Sequence, residues 1–211
     1  MSSSRARRWG AGKATAVRLL YETREPLTQI ELAAQVGVSQ PAVSQYLASL
    51  RASGNAVFEN PGWLPVLERL PTTYHSCYSS RFTEQSLWYR IDDVSAQVAD
   101  LVERDPRLIV SGDVGADRVR PWRVPSVAVL YGAIDADEMD ELGFVPADSE
   151  AAASVVVRPV PDDRFRSQAR DLDDMVIAPR LHLVADLLDL GGDDRADAAA
   201  RFADRRESTS T

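Results

Sequence analysis

The sequence predicts an α+β protein with two parts: a small helical domain that ends in a β-hairpin, and a larger domain in which short strands alternate with helices. Three observations favour this arrangement. Between Pro26 and Gly54, apolar residues recur at helical spacing in two runs separated by a glycine. An Asn60-Pro61-Gly62 turn signal follows, flanked by strand-forming residues. Beyond residue 86, apolar runs of strand length alternate with amphipathic segments, which indicates an α/β-type domain with a small sheet.

The first helical run opens with Thr28 and Glu31 at T-x-x-E spacing. In this capping box, the hydroxyl and the carboxylate satisfy backbone N–H groups at the start of a helix. An apolar stripe follows at Ile30, Ala33, Ala34 and Val36. Gly37 then supplies the conformational freedom that a tight turn requires. We therefore predict a helix that ends in a sharp turn at Gly37, with a supporting helix over residues 14–22 before it.

A second helix is predicted to begin at Ser39, a favourable N-cap residue that is followed by a proline in the first turn. Its inward positions are Val43, Leu47 and Leu50. That spacing turns Gln40, Ser44 and Gln45 outward near the start of the helix. A glutamine amide can make two hydrogen bonds to adenine, and a serine hydroxyl can bond to bases or phosphate. The alternative is an ordinary helical hairpin whose polar face is merely hydrated.

With the predicted hairpin, these elements form a winged helix-turn-helix. The phrase VSQPAVSQYLASLRASG resembles the winged helix-turn-helix of arsenic-repressor-like and multiple-antibiotic-resistance-like regulators, and the resemblance implies binding to double-stranded DNA. A basic N-terminal arm can also reach phosphates or a minor groove. The predicted wing carries no Lys or Arg, which leaves its contribution open. The predicted DNA contacts are Thr28, Ser39, Gln40, Ser44, Gln45, Tyr46, Arg51, Arg5, Arg7 and Arg8.

The charge is divided unevenly along the chain. The net charge is −8, but residues 1–55 contain seven basic and three acidic groups, so they carry +4 and the remainder carries −12. A basic N-terminal segment (residues 1–55, the head) before an acidic remainder (the body) suggests divided roles. The head can bind DNA phosphates, and the body limits non-specific binding to DNA. The alternative for the body is an acidic surface that only confers solubility.

Several classes of protein are not expected. No apolar run approaches membrane-spanning length, and no secretory signal precedes the head, so a cytoplasmic protein is expected. Cys77 is the single cysteine, which excludes an internal disulfide framework. His75 and Cys77 lie close in sequence, but a structural zinc site needs four ligands, so no metal and no cofactor are predicted.

We predict five segments: a flexible basic arm over residues 1–12, the winged helix-turn-helix over 13–70, a linker over 71–86, an α/β regulatory or partner-binding domain over 87–207, and a tail over 208–211. The patterns in the α/β domain predict strands over 87–91, 108–110, 126–131, 153–160 and 175–178. They predict helices over 91–102, 135–142, 179–190 and 195–206.

The sequence SGDVGAD is a glycine-bearing loop after a predicted strand, but it lacks the Gly-Lys-Ser/Thr ending of a P-loop and the dinucleotide fingerprint. Such a loop also occurs in nucleotidyltransferases, whose chemistry needs paired carboxylates on a neighbouring strand to hold two Mg²⁺ ions. The corresponding strand, SVAVLY, has none. An enzyme is therefore not predicted, although a nucleotidyltransferase-like fold remains an alternative.

The order of the segments supports a second resemblance. VSGDVGADRVRPWRVPSVAVLY, ELGFVPA and VIAPRLHLVADLLDLGGDDRADAAARF follow the winged helix-turn-helix. This order resembles the antitoxins of type IV toxin–antitoxin systems of the abortive-infection E class. The resemblance implies an autorepressor whose body counters a nucleotidyltransferase toxin, with Gln40, Ser44 and Gln45 as base readers.

Three functional hypotheses follow from the sequence. The first is a sequence-specific transcriptional regulator whose acidic body binds a protein partner, which the second resemblance identifies as a toxin. The second is a regulator whose body senses a small ligand. The third is a nucleotidyltransferase-like enzyme fused to a DNA-binding head. A homodimer is a candidate assembly because two-fold symmetry reads paired half-sites, and the helix over 179–190 is a candidate interface.

Overall fold

The computed structural model describes residues 9–78 and 84–203. The chain divides into two compact units. The head unit combines Met1–Arg81 with Arg180–Thr211, and the inserted unit is Phe82–Pro179. The head unit is therefore discontinuous in sequence. The predicted α/β domain over 87–207 differs from this division, because its C-terminal part belongs to the head unit.

The N-terminal part of the head unit has the predicted order of three helices and a hairpin: α1 (Ala11–Glu22), α2 (Gln29–Val36), α3 (Gln40–Ala52), β1 (Ala56–Glu59) and β2 (Gly62–Pro65). A helix that was not predicted follows, α4 (Leu70–Tyr78). The capping box at Thr28 and Glu31 is formed, and Gly37 adopts a φ of 70° at the end of α2. Val43, Leu47 and Leu50 are buried on the inner face of α3. Local signals in the sequence thus correctly predict the helix-turn-helix.

Strands β1 and β2 form an antiparallel hairpin, here called the wing, in which Phe58 pairs with Trp63. Trp63 also exchanges two backbone hydrogen bonds with Leu27: its N–H donates at 2.8 Å, and its carbonyl accepts at 3.0 Å. A Cβ atom on Gly62 would lie 2.5 Å from the carbonyl carbon of Leu27. Glycine is therefore required where the wing meets the segment before α2.

The segment predicted as a linker over 71–86 begins instead with a buried helix. In α4, Leu70, Tyr74 and Tyr78 are at most 1% exposed. The buried face of this helix is largely aromatic, with hydroxyl groups that also need polar partners. Its sequence therefore resembles that of a polar linker, and for this reason the buried helix was not predicted.

The inserted unit contains short strands and helices in alternation. Its elements are β3 (Ser86–Tyr89), α5 (Val94–Arg104), β4 (Ile109–Ser111), α6 (Gly112–Val119), β5 (Ala128–Tyr131), α7 (Ala136–Glu141), β6 (Val145–Pro146), β7 (Val155–Arg158), α8 (Phe165–Gln168), β8 (Arg170–Leu172) and β9 (Met175–Ile177). Within the described residues they form one mixed sheet of order β6-β3-β7-β5-β4-β9-β8. The structure confirms the α+β class with a small sheet.

The central strands of this sheet are buried on both faces. Val110, Leu130 and Val155 are fully buried, and α5 adds Val98 and Leu101 to the same core. Strands that are covered on both faces have continuous apolar sequences, so these strands could be predicted from the sequence. The edge strands β6 and β8 were not predicted, because they are short and largely exposed.

Two further helices complete the head unit: α9 (Arg180–Leu190) and α10 (Asp193–Ala203). Helix α9 packs against α1, α4 and α10. Its residues from Leu181 to Leu187 are all buried. The backbone N–H of Arg180 donates to the carboxylate of Glu22 at the end of α1, at 3.2 Å. The apolar pattern correctly predicted helices here but carried no information about their packing partners.

A buried polar network joins α1, α4 and α9. The guanidinium of Arg18, which is 1% exposed, donates to the hydroxyl oxygens of Tyr74 at 3.2 Å and Tyr78 at 3.3 Å. The Tyr74 hydroxyl lies 3.0 Å from Nδ1 of His182, and Nε2 of His182 lies 3.9 Å from the Asp186 carboxylate. Buried polar groups fix a specific arrangement when their bonds are satisfied. The network therefore fixes α9 against the helices that support α3.

Candidate nucleic-acid interface

Helix α3 presents a polar face to solvent over its first turns. Gln40, Ser44 and Gln45 are exposed, whereas Val43 and Leu47 between and beyond them are fully buried. The structure therefore brings the three predicted base-reading side chains to one exposed face. Amide and hydroxyl groups on such a face can donate to and accept from base edges.

The hydroxyl groups of Thr28 and Ser39 are engaged in helix capping. Ser39 accepts from the backbone N–H of Ala42 at 3.4 Å. Thr28 Oγ1 accepts from the Glu31 N–H at 3.2 Å and donates to the Glu31 carboxylate at 2.8 Å. The backbone N–H and hydroxyl of Thr28 lower the pKa of the Glu31 carboxyl. The capping box consequently contributes stability above the ordinary glutamate pKa and loses it as pH falls through the lowered value.

A shallow cleft separates α3 from the wing. It is open to solvent, has a volume of about 550 Å³ and is lined by Gln29, Ser44, Ala48, Arg51, Ala52 and Trp63. The Arg51 side chain is exposed and has no ion-pair partner among residues 9–78 and 84–203. The Arg51 guanidinium therefore places a positive charge beside the polar face of α3.

The other side of α3 is flanked by the start of α1. Lys13 Nζ donates to Ser49 Oγ at 2.9 Å and lies 4.6 Å from the centre of the Trp9 ring. The Lys13 ammonium is a second cation beside α3 that was not among the predicted contacts. The sequence shows that Lys13 is charged, but it does not show which residues of α1 pack against α3, so this position beside α3 could not be predicted.

Tyr46, a predicted DNA contact, is half-buried and turned towards α1. A Cβ atom on Gly12 would lie 3.1 Å from the Tyr46 hydroxyl oxygen. The ring of Tyr46 therefore has a packing position against α1 and is not part of the exposed face formed by Gln40, Ser44 and Gln45.

The predicted arm residues Arg5, Arg7 and Arg8 lie outside the described residues. Within residues 9–78, five basic groups are matched by five acidic ones. The excess positive charge at the start of the sequence therefore comes from the arm, whereas the described part of the helix-turn-helix and wing is balanced.

The wing has an apolar rather than a basic surface. Val57 is 40% exposed and Phe58 is 51% exposed. The ring of Phe58 meets that of Trp63 edge to face, with the ring centres 5.4 Å apart. Glu59 is the single charged residue between Ala56 and Pro65.

In the inserted unit, the segment SGDVGAD is not the loop that was predicted, because its residues from Gly112 onward form the start of α6 directly after β4. The carboxylate of Asp113, in the first turn of this helix, is fully buried. Its Oδ2 accepts from the Arg123 guanidinium at 2.8 Å and from the backbone N–H and hydroxyl of Ser126 at 3.1 Å and 3.0 Å. The carboxylate thus fixes the loop that leads into β5. Strand β5 itself carries no acidic residue, and the described residues contain no group of three or more His, Cys, Asp or Glu arranged to hold a metal ion.

Replacing Asp113 by alanine is expected to destabilise the inserted unit by about 1–3 kcal/mol, because it removes a buried acceptor shared by Arg123, whose side chain is partly exposed, and by the Ser126 donors. Urea unfolding followed by circular dichroism measures the change. Asp117→Ala, on the same helix but partly exposed, is the matched control and is expected to change the free energy of unfolding by less than about 0.5 kcal/mol. Equal effects of the two substitutions would contradict a structural role for the buried carboxylate.

Comparisons with known proteins agree with this geometry in the head unit. Residues 13–62 match a family model described as an HTH domain. No curated protein and no solved structure gave a significant match. Among the described helices, none is both long and apolar enough to cross a membrane. The matched domain and the exposed polar face of α3 define a helix-turn-helix DNA-binding regulator. The resemblance to antitoxins is not confirmed by any of these matches.

Proposed function

We propose that the protein is a sequence-specific transcriptional regulator that acts in the cytoplasm and represses its own promoter. The exposed face of α3 carries this proposal, because Gln40, Ser44 and Gln45 are displayed together on a capped helix. Arg51 and Lys13 lie on either side of that helix, where they can approach the phosphates that border a major groove. A homodimer would place two such helices on paired half-sites.

The inserted unit is proposed to bind a protein partner rather than to catalyse a reaction. Residues 82–179 contain twenty acidic and ten basic groups, a balance that disfavours contact with DNA and favours a basic partner surface. The Asp113 carboxylate accepts hydrogen bonds from Arg123 and Ser126, which supports a structural rather than a catalytic role for the glycine-bearing segment at the start of α6. The resemblance to abortive-infection E antitoxins implies a nucleotidyltransferase toxin as the proposed partner.

Fluorescence anisotropy tests the DNA-binding proposal directly. The protein is titrated onto a duplex from its own upstream region and onto a scrambled duplex, each at two salt concentrations. A preference for its own duplex that persists at about 0.15 M salt is expected of a specific repressor. Weak binding that is equal on both duplexes and vanishes with added salt would contradict the proposal.

Replacing Arg51 by alanine is expected to weaken binding to both duplexes by a similar factor, because a phosphate contact carries no base information. The slope of log K against log salt concentration is expected to become shallower by about 0.9, the value for one phosphate contact. Arg201→Ala on α10 is the matched control for loss of a positive charge. An unchanged slope in the Arg51 variant would exclude a phosphate contact.

A small-ligand sensor is the second candidate function, favoured by an open surface depression in the inserted unit. The depression has a volume of about 360 Å³ where β5 and β7 end, and Gly132 and the buried Arg158 are among its lining residues. The carboxyl ends of parallel strands are frequent ligand sites in α/β sheets. A dose-dependent rise in melting temperature with nucleotides or metabolites would favour this function, whereas no rise would favour the protein partner.

A further inference from the structure

The wing places an exposed aromatic ring on a rigid support. Phe58 is half-exposed, and its ring rests edge to face against Trp63, which is 7% exposed. Trp63 is in turn fixed by two backbone hydrogen bonds to Leu27. The support for Phe58 is therefore tied both to the hairpin and to the segment that leads into α2.

This ring is continuous with the surface that carries the base-reading residues. Trp63 lines the cleft that also contains Ser44 and Arg51 of α3. Phe58 contacts Trp63, so it lies at the wing edge of the same surface. A duplex seated on α3 would bring its backbone and the neighbouring minor groove towards the wing.

The wing cannot make the usual cationic contact with phosphate, because its single charged residue is Glu59. Aromatic and aliphatic side chains make a different kind of contact with DNA, in which they pack against sugars or insert at base steps from the minor groove. We propose that Phe58 packs against the deoxyribose edges of the minor groove beside the site that α3 contacts. This inference rests on the proposed DNA-binding function. This contact involves no ion pair and releases no counterions.

The test compares Phe58→Ala with Val57→Ala in the full chain, by anisotropy on the upstream and scrambled duplexes over a range of salt concentrations. Successive residues of a strand point to opposite faces, so Val57 is a matched apolar control on the same strand. Phe58→Ala is expected to weaken binding to both duplexes about tenfold, in line with loss of a partly buried aromatic contact. The slope of log K against log salt is expected to stay unchanged, unlike that of the Arg51 variant. Phe58→Tyr keeps the ring and is expected to retain the affinity.

Three results would overturn this contact. Phe58→Ala could leave the affinity unchanged while the unsubstituted chain still prefers its own duplex, which contradicts the contact but not the DNA-binding function. Val57→Ala could lose as much affinity as Phe58→Ala, which would indicate a general effect on the wing. Sedimentation equilibrium could show that Phe58→Ala reduces the mass of an assembly, which would assign the ring to a contact between two copies of the chain. Failure of the unsubstituted chain to bind DNA would reject the proposed function itself, and the contact with it.

Discussion

Simultaneous replacement of Gln40, Ser44 and Gln45 by alanine is expected to abolish the preference for the upstream duplex over a scrambled one. Each well-formed amide–adenine pair contributes about 1–3 kcal/mol of discrimination, so loss of two glutamines and a serine should reduce specificity by about a hundredfold or more. The helix should persist because Val43 and Leu47 remain buried. Alanine is also the residue most favourable to helix formation.

Anisotropy on the two duplexes measures this loss, and circular dichroism verifies that the helix content is unchanged. A variant with alanine at Ser149 and Ser167, both exposed in the inserted unit, controls for the removal of surface hydroxyl groups. Residual non-specific binding is expected in the triple variant, because Arg51 and Lys13 are still present. Retention of the full preference for the upstream duplex would show that another surface reads the sequence.

Removal of residues 180–211 is expected to unfold the head unit, although it leaves the entire matched domain over residues 13–62 in place. Leu181, Leu183 and Leu187 are fully buried, and each contributes about 2 kcal/mol by burial of its side chain. Their sum is comparable with the 5–15 kcal/mol that stabilises a typical domain. Truncation would also expose Arg18 and Tyr74, whose polar groups are arranged around His182.

Thermal unfolding followed by circular dichroism and by DNA binding tests this expectation. The matched variant replaces residues 84–179 with a Gly/Ser linker of about 12 residues, which spans roughly 20 Å as a flexible chain. This variant keeps α1–α4, α9 and α10, and it is expected to melt cooperatively and to bind the upstream duplex. Cooperative melting and specific binding by the truncated chain would instead show that α1–α4 and the wing fold without the C-terminal helices.

Features determined by neighbouring residues could be predicted from the sequence. The capping box at Thr28 and Glu31, the turn at Gly37 and the N-cap at Ser39 depend on side chains within a few positions of one another. The outward direction of Gln40 and Gln45 follows from the same helical spacing. Fully buried strands such as β5 were also recognisable because their residues are uniformly apolar.

Features determined by distant residues could not be predicted in the same way. The tyrosines of α4 are buried because Arg18 and His182 supply polar partners from helices far away in sequence. The hydrogen bond from Lys13 to Ser49 depends on the packing of α1 against α3. Edge strand β6 has two residues and forms only through pairing with β3. None of these contacts leaves a periodic signal in the sequence.

The interrupted head unit also sets an order of events during synthesis. A ribosome translates the matched domain first, but the residues that bury its supporting helices are made only after Phe82–Pro179. At about 5–20 residues per second, this interval lasts on the order of 5–20 s. During that time His182 has not been synthesised and cannot contact Tyr74. The nascent chain therefore contains α3 before it contains α9 and α10. A chain that ends before Arg180 would therefore contain the matched DNA-binding domain without the helices that bury its supporting residues.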